Sequence, residues 1–208
     1  MKETYSGSTC KICSTPSEVG CDCVKQESNE KGTEQNTYSF KVDKGSGASI
    51  DVEVPGIPEE LEVLGQKWIK KPEFHITLIG FATKLDKLIK TAAATRGEKV
   101  SNKEVKNMIK DVLEKLSETS RFEVKMSNEL RKAERDEDRT LIQMGEVEGV
   151  DEFLRSIEAE FQLEPESLKS PPVHITLYTG ENGNGIGIST QEKLEELTVP
   201  IEVEIQGL

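Results

Sequence analysis

The sequence predicts an α+β fold in which the strands pair mostly antiparallel. Two patterns along the chain carry this prediction. Segments that alternate apolar and polar residues outnumber segments with helical periodicity, and the two kinds are not strictly interleaved, as a doubly wound parallel sheet would require. A length of 208 residues is enough for one domain with a sizeable core or for two small lobes.

The first half of the globular region carries three predicted strands and two predicted helices. Alternation predicts the strands, at 38–42, 50–54 and 74–81. Thr83 followed by Asp86 resembles a capping box, and the apolar positions behind it recur at helical spacing. Ser101 and Glu104 form a second capping box, ahead of an amphipathic helix whose apolar residues run from Val105 to Leu116.

The second half carries four predicted strands, at 122–126, 139–147, 173–179 and 199–205. A run of charged residues at 129–138 is interpreted as a solvated loop or hairpin tip between the first two of these strands. Apolar residues at helical spacing from Phe153 to Phe161 predict a further helix. Ser189 with Glu192 resembles the capping box of the last one.

The charge balance excludes an extended nucleic-acid clamp. The chain has 27 Lys and Arg against 39 Asp and Glu, which gives a net charge of -12. A clamp along a duplex needs a basic face that releases counterions, so we expect no extended DNA binding. A small or end-on RNA substrate, held by a local pocket, stays compatible with this charge.

The hydropathy of the chain predicts its location. No stretch approaches 18 apolar residues, so we expect no membrane span. The first 30 residues lack a basic start followed by an apolar run, which argues against a secretory signal. We therefore expect a cytoplasmic monomer that does not bind membranes.

All four cysteines, Cys10, Cys13, Cys21 and Cys23, lie in a predicted flexible arm over residues 1–36, ahead of a globular domain over 37–208. Their pattern is C-x2-C-x7-C-x-C. Four thiolates at this spacing are able to form a structural zinc site, and such a site leaves no open position for catalysis. A tail with free thiols and a pair of disulfides are the alternatives, and all three stay open.

The only two histidines of the chain occur in the same quartet, H-I-T-L, about 100 residues apart. Because successive side chains of a strand point to opposite faces, His75 shares a face with Thr77, and His174 shares a face with Thr176. The intervening apolar residues face a core. Two such strands are able to present two imidazoles and two hydroxyls to one cleft.

This set of side chains suits displacement at phosphorus. One imidazole acts as a base beside the attacking oxygen, and the other acts as an acid beside the leaving oxygen. Threonine hydroxyls donate to the non-bridging oxygens. No H-x-H or H-E-x-x-H pattern occurs, so we expect catalysis without a metal cofactor.

The quoted motifs, FHITLIG at 74–80 and VHITLYTG at 173–180, resemble the paired H-x-[ST] motifs of the 2H phosphoesterase superfamily. The resemblance covers about 38–208. It implies a bilobal α+β fold, with two antiparallel sheets and flanking helices around a central cleft. Its members include RNA 2′,3′-cyclic phosphodiesterases, formerly called 2′-5′ RNA ligases. The implied reaction opens the cyclic phosphate on an RNA end or a nucleotide, typically to a 2′-phosphate.

Carried over to this chain, the resemblance makes His75 and His174 catalytic and Thr77 and Thr176 substrate-binding residues. We favour His174 as the base that activates water and His75 as the acid. Tyr178 lies four residues after His174 and is expected to contact a base or a phosphate oxygen, or else to form the rim of the cleft.

Other residues near the motifs are candidates for substrate contacts. The Gly-rich run 181–188 is interpreted as a mobile loop beside the cleft or as a lid over the substrate. Basic residues that stand out in an acidic chain are Lys67, Lys70, Lys71, Arg121 and Arg139.

The sequence thus favours a metal-independent phosphodiesterase in RNA processing. A non-catalytic nucleotide- or RNA-binding module of the same fold is the second hypothesis. An adaptor that acts through a zinc-binding arm is the third.

Overall fold

Four helices and two antiparallel sheets make up the part of the chain that the computed structural model describes, residues 37–43, 47–63, 65–80 and 84–208. The predicted α+β class with antiparallel sheets is confirmed. The helices are α1 (Leu85–Thr95), α2 (Asn102–Thr119), α3 (Val150–Phe161) and α4 (Gln191–Leu197). The strands are β1 (Thr37–Tyr38), β2 (Lys41–Val42), β3 (Ala48–Asp51), β4 (Glu60–Val63), β5 (Gln66–Lys70), β6 (His75–Ile79), β7 (Phe122–Arg135), β8 (Asp138–Glu148), β9 (His174–Thr179) and β10 (Thr198–Ile201).

The strands divide unequally between the two sheets. The larger sheet has the order β1-β7-β8-β9-β5-β4, with β10 paired to the same edge of β7 as β1. The smaller sheet has the order β2-β3-β6. The segment 38–42, predicted as one strand, is therefore split, because Tyr38 pairs in the larger sheet and Lys41 in the smaller one.

The charged run 129–138 contains the predicted hairpin tip, at 136–137, but the rest of it is strand, so its interpretation as a loop was wrong for most of its length. Met126 pairs with Gly145 and Leu130 with Gln143, which leaves extra residues of β7 opposite a single residue of β8. The bulge keeps the same residues of β7 on the core side, and the strand has no clear alternation beyond it because most of its side chains are polar or charged. Beyond the bulge, Leu130 and Ala133 are buried, and the hairpin turns only after Arg135.

Of the three capping boxes that the sequence predicts, the structure has one, at the start of α2. At α2 both hydrogen bonds of the predicted capping box are present, from Glu104 N to Ser101 Oγ and from Ser101 N to Glu104 Oε2. At α1 the N-cap is Lys84, with a φ of 52°, and Thr83 lies outside the described residues. At α4 the N-cap is Thr190, one residue later than predicted.

The main core joins both sheets to the helices. Phe40, between β1 and β2, makes edge-to-face contacts with Phe122 of β7 and Phe153 of α3, at ring-centroid distances of 6.1 and 4.9 Å. Aromatic pairs of this kind are worth about 0.5–1.5 kcal/mol beyond the area they bury. The two strands that carry the histidine motifs, β6 and β9, contribute apolar residues such as Ile76 and Ile175 to the same core.

A second, smaller core lies on the opposite face of the larger sheet. It consists of five buried side chains from β7, β8, the Gly-rich run and α4: Ala133, Ile142, Ile186, Ile188 and Leu194. This small core holds the segment 186–194 against the sheet. Within the described residues, no helix is long and apolar enough to cross a membrane.

Candidate active site

The two histidine motifs meet at one cavity of about 550 Å³. Strand β6 brings His75 and Thr77 to it from an edge of the smaller sheet, and β9 brings His174 and Thr176 from inside the larger sheet. All four side chains line the cavity. The structure thus brings together, from two sheets, the residues that the repeat singled out.

The alternation of each motif strand explains this placement. In β6, Ile76 and Leu78 are buried, whereas Thr77 is half-buried and His75 is exposed. In β9, the apolar Ile175 is fully buried, and His174 and Thr176 are half-buried. Burial of each apolar side chain stabilises the fold by about 1.5–3 kcal/mol. Turning a strand so that its polar face leaves the cavity would expose these side chains and lose that stabilisation.

The ring of His174 has a defined tautomer. Its Nδ1 lies 2.8 Å from the carbonyl oxygen of Pro172, which only accepts hydrogen bonds, so Nδ1 carries the proton and donates. The Nε2 of the neutral ring then holds a free lone pair. Burial lowers the pKa of His174, the bond to Pro172 opposes that shift, and the nearby positive charge of His75 lowers the pKa further.

The surroundings of His75 are more polar and more open. Asp51 of β3 pairs across from His75, and Ser49 pairs across from Thr77, so these side chains share one face of the small sheet. The carboxylate of Asp51 forms an ion pair with Lys41, with its Oδ1 2.6 Å from the Nζ of the lysine. His75 is therefore accompanied by a neutralised pair rather than by a lone negative charge.

The Gly-rich run and α4 form the wall opposite the histidines. Ile186, Gly187 and Ile188 line the cavity, and the hydroxyl of Thr140 accepts a hydrogen bond from the backbone N–H of Ile186. Lys193 of α4 lines it too, and its Nζ donates to the hydroxyl of Ser189 over 3.3 Å.

A smaller cavity of about 280 Å³ adjoins the first. The two share His75, Thr176, Ile186 and Gly187, whereas His174 and Thr77 line only the larger one. The smaller one is also lined by Lys71, Glu73 and Thr179. The backbone N–H of Lys71 donates to the carbonyl of Leu177 at 2.9 Å, which fixes this rim to β9.

Tyr178 does not belong to the site, so its assignment to substrate contacts is corrected. The side chain is fully buried in the main core, and its hydroxyl donates to the carbonyl of Pro58 at 2.9 Å. Burial raises the pKa of Tyr178 to about 12. The cause is a bulge: Thr176 pairs with Ile142 but Tyr178 pairs with Leu141, so Leu177 is an extra residue and the faces exchange.

Of the predicted basic candidates, Lys71 alone lines either cavity. Lys67 and Lys70 form ion pairs with Glu60 and Glu59 on the β4–β5 side of the sheet. Arg139 lies over the ring of Trp68, with its Cζ 5.8 Å from the centroid. Arg121 donates to the carbonyls of Ser117 and Ser120 at the end of α2.

Among the lining residues that were not singled out as substrate contacts from the sequence are Lys193, Ser189 and Thr179. Lys193 has a visible signal, because it is the one cation in the acidic helix sequence QEKLEEL. Ser189 was assigned to a helix cap instead. Thr179 follows the β9 bulge. It shares a face with Thr176 although the two are three residues apart, which the alternation of a regular strand does not predict.

The cysteine cluster, Cys10, Cys13, Cys21 and Cys23, lies outside the described residues, so its zinc site stays a prediction. Over 37–43, 47–63, 65–80 and 84–208, no group of three or more His, Cys, Asp or Glu side chains is arranged to hold a metal ion.

Comparisons of this chain with protein-family models, with curated proteins and with solved structures found no match. The interpretation of the cavity therefore depends on its own residues and geometry.

Proposed function

We propose that this protein is a metal-independent phosphodiesterase of the 2H type, which opens 2′,3′-cyclic phosphates on RNA ends or nucleotides and leaves 2′-phosphates. The two sheets correspond in this proposal to the two lobes of that fold. One observation carries it: His75 with Thr77 and His174 with Thr176 line a single cavity from strands of two different sheets.

His174 is the general base in this reaction. Its Nδ1–H is held by Pro172, and its lowered pKa keeps Nε2 unprotonated at neutral pH. Nε2 takes a proton from water as the water oxygen forms a bond to phosphorus. The bond from phosphorus to the 3′-oxygen breaks, and His75 supplies a proton to that oxygen. The product is a 2′-phosphate with a free 3′-hydroxyl.

Thr77 and Thr176 stabilise the charge that grows on the non-bridging oxygens. Each hydroxyl shares a strand face with one histidine, so both point toward the same phosphate. Donors that are already in place for the transition state are worth roughly 10²–10³ in kcat. The half-buried position of both threonines reduces competition from water.

A screen of nucleoside 2′,3′-cyclic phosphates and oligonucleotides with cyclic-phosphate ends, followed by analysis of the product ends, tests the proposal. We expect turnover to 2′-phosphates, a bell-shaped pH–rate profile and full activity in EDTA. His75→Gln and His174→Gln should each lower kcat roughly 10²–10⁴-fold, as expected for the loss of a general acid or base. Lys106→Ala, on the exposed face of α2, serves as the control variant.

Turnover that survives either histidine substitution would refute the catalytic assignment. Tight nucleotide binding without turnover would instead favour a non-catalytic module. Deletion of residues 1–36 tests the adaptor hypothesis, because only that hypothesis requires the cysteine arm for partner binding.

A further inference from the structure

The larger cavity has an unusual charge distribution for an acidic protein. Apart from the histidines, Lys193 is the one ionisable side chain among the described residues that line it, and no carboxylate lines it. The chain as a whole carries a net charge of -12. The larger cavity is thus a local cationic site, which favours an anionic group in addition to the reacting phosphate.

Lys193 is positioned toward the cavity rather than toward its acidic neighbours. Its Nζ donates to the hydroxyl of Ser189, and the described part of the chain shows no ion pair for it. The next residue, Leu194, is buried in the small core, which fixes this turn of α4. The ammonium group therefore keeps donors free for a ligand.

The smaller cavity does not offer the same chemistry. Its lysine, Lys71, is accompanied by Glu73 in the same lining, so these two side chains together carry no net charge. Lys71 lines only the smaller cavity and Lys193 only the larger one. An additional anion is thus favoured in the larger cavity and not in the smaller one.

The larger cavity also has room for a nucleoside. Its volume of about 550 Å³ is within the range of small-molecule sites, and Pro171, Ile186 and Ile188 give it an apolar surface for ribose and base. In a nucleoside whose cyclic phosphate lies at the histidines, the 5′ oxygen is on the opposite side of the ribose from that phosphate, and Lys193 lines the same cavity.

We propose, on the basis of the proposed function, that Lys193 binds a second phosphate, which is attached to the 5′-oxygen of the nucleoside that bears the cyclic phosphate. The substrate class is therefore a 5′-phosphorylated nucleoside 2′,3′-cyclic phosphate or the last nucleotide of an RNA. Both present a phosphate at the same 5′ position, and the charge-assisted bond to Lys193 discriminates against 5′-hydroxyl substrates.

Three substrates test this inference with the full-length protein: a nucleoside 2′,3′-cyclic phosphate with a 5′-hydroxyl, the same compound with a 5′-phosphate, and a dinucleotide with a cyclic-phosphate end. We expect a 5′ phosphate to raise kcat/KM about tenfold, mainly through KM, as one charge-assisted contact would. Lys193→Ala should abolish that preference, and Lys193→Arg should retain most of it. A gain with the dinucleotide alone would identify the internucleotide phosphate as the source.

Two control variants separate this contact from a general change in charge. Lys106→Ala removes the same charge from the exposed face of α2, and the preference should persist. Lys71→Ala should lower turnover of all three substrates alike. The inference is overturned if the cyclic phosphates are hydrolysed without a 5′ preference, or if Lys193→Ala keeps that preference.

A binding measurement separates this inference from the proposed function. If no cyclic phosphate is turned over, the proposed function fails, and calorimetry then compares a nucleoside 2′,5′-bisphosphate with the 2′-monophosphate. Tighter binding of the bisphosphate that is lost in Lys193→Ala would support the phosphate site independently. Equal affinity of the two compounds would overturn it.

Discussion

The Nδ1 of His174 lies 2.8 Å from the carbonyl oxygen of Pro172, so the backbone two residues earlier selects the tautomer of this imidazole. Because the partner is a main-chain carbonyl, no side-chain substitution removes it. The tautomer therefore depends on how the segment leading into β9 is folded. His174, the more deeply buried of the two histidines, is also the one whose tautomer is defined.

The lowered pKa of His174 predicts how stability depends on pH. The folded protein binds this proton less tightly than the unfolded chain, whose histidine has a pKa of about 6.5. The contribution to stability is fully present above that pH and is lost as the pH falls through the folded-state pKa. We expect the free energy of unfolding to decrease from pH 7.5 to pH 5.5.

Urea unfolding of His174→Gln at the same two pH values provides the comparison. The variant should lose less stability on acidification than the wild type, because the group that takes up the proton is absent. His75→Gln should keep most of the wild-type difference. An identical pH dependence in wild type and His174→Gln would show that this histidine is not responsible.

Thr77→Val and Thr176→Val remove the hydroxyls while keeping the branched shape. We expect each to lower kcat by roughly 10–10³-fold with little change in KM, because the hydroxyls act on charge that develops in the transition state. Thr77→Ser and Thr176→Ser keep the donor and should recover most of the activity. A loss confined to KM would assign the threonines to ground-state binding instead.

Tyr178→Phe separates a structural tyrosine from a substrate contact. The change removes the donor to the half-buried carbonyl of Pro58, and we expect a loss of about 0.5–1.5 kcal/mol in the free energy of unfolding. At temperatures where the variant is folded, kcat/KM should equal that of the wild type. A lower kcat/KM at equal folded fraction would show that the Tyr178 hydroxyl contributes to the reaction.

Glu158 of α3 is a buried carboxylate that organises the segment before β9. It accepts hydrogen bonds from the backbone N–H groups of Glu166 and Leu168, at 3.1 and 2.8 Å. Glu158→Gln turns one acceptor into a donor that faces an N–H group, so we expect a loss of about 2–3 kcal/mol.

Glu160→Gln, on the exposed side of the same helix, is the matched control. Glu160 forms an ion pair with Lys115, and an exposed pair of this kind is worth at most about 1 kcal/mol. In thermal unfolding, the Tm of Glu158→Gln should lie well below the Tm of Glu160→Gln. Equal stability of the two would mean that the buried carboxylate can be replaced without cost.

The sequence predicted the parts of the fold where alternation is regular. Strand β6 and the start of β9 have uninterrupted period-2 patterns, and their histidines line one cavity as that pattern implies. The capping box at Ser101 was equally readable, because its two hydrogen bonds are local. These features depend on neighbours within a few residues.

Features that depend on pairing between distant segments could not be predicted. The β9 bulge exchanges the faces of the residues beyond it, so Tyr178 lies in the core, and the charged end of β7 is strand because it pairs with β8 and β10. The β4–β5 hairpin, in which Val63 pairs with Gln66, was missed because the residues between them, Leu-Gly, lack the Asn-Gly or Asp-Gly signature of a two-residue loop.

The small core beneath the Gly-rich run has a consequence for the dynamics of the protein. Its five side chains, Ala133, Ile142, Ile186, Ile188 and Leu194, are few beside those of the main core. Elements with fewer buried contacts open at a lower free energy than the whole domain, as separate cooperative units or foldons. We therefore expect amide hydrogens of α4 to exchange faster than those of β6 and β9, so that the cavity wall that carries Lys193 opens while the histidine strands remain folded.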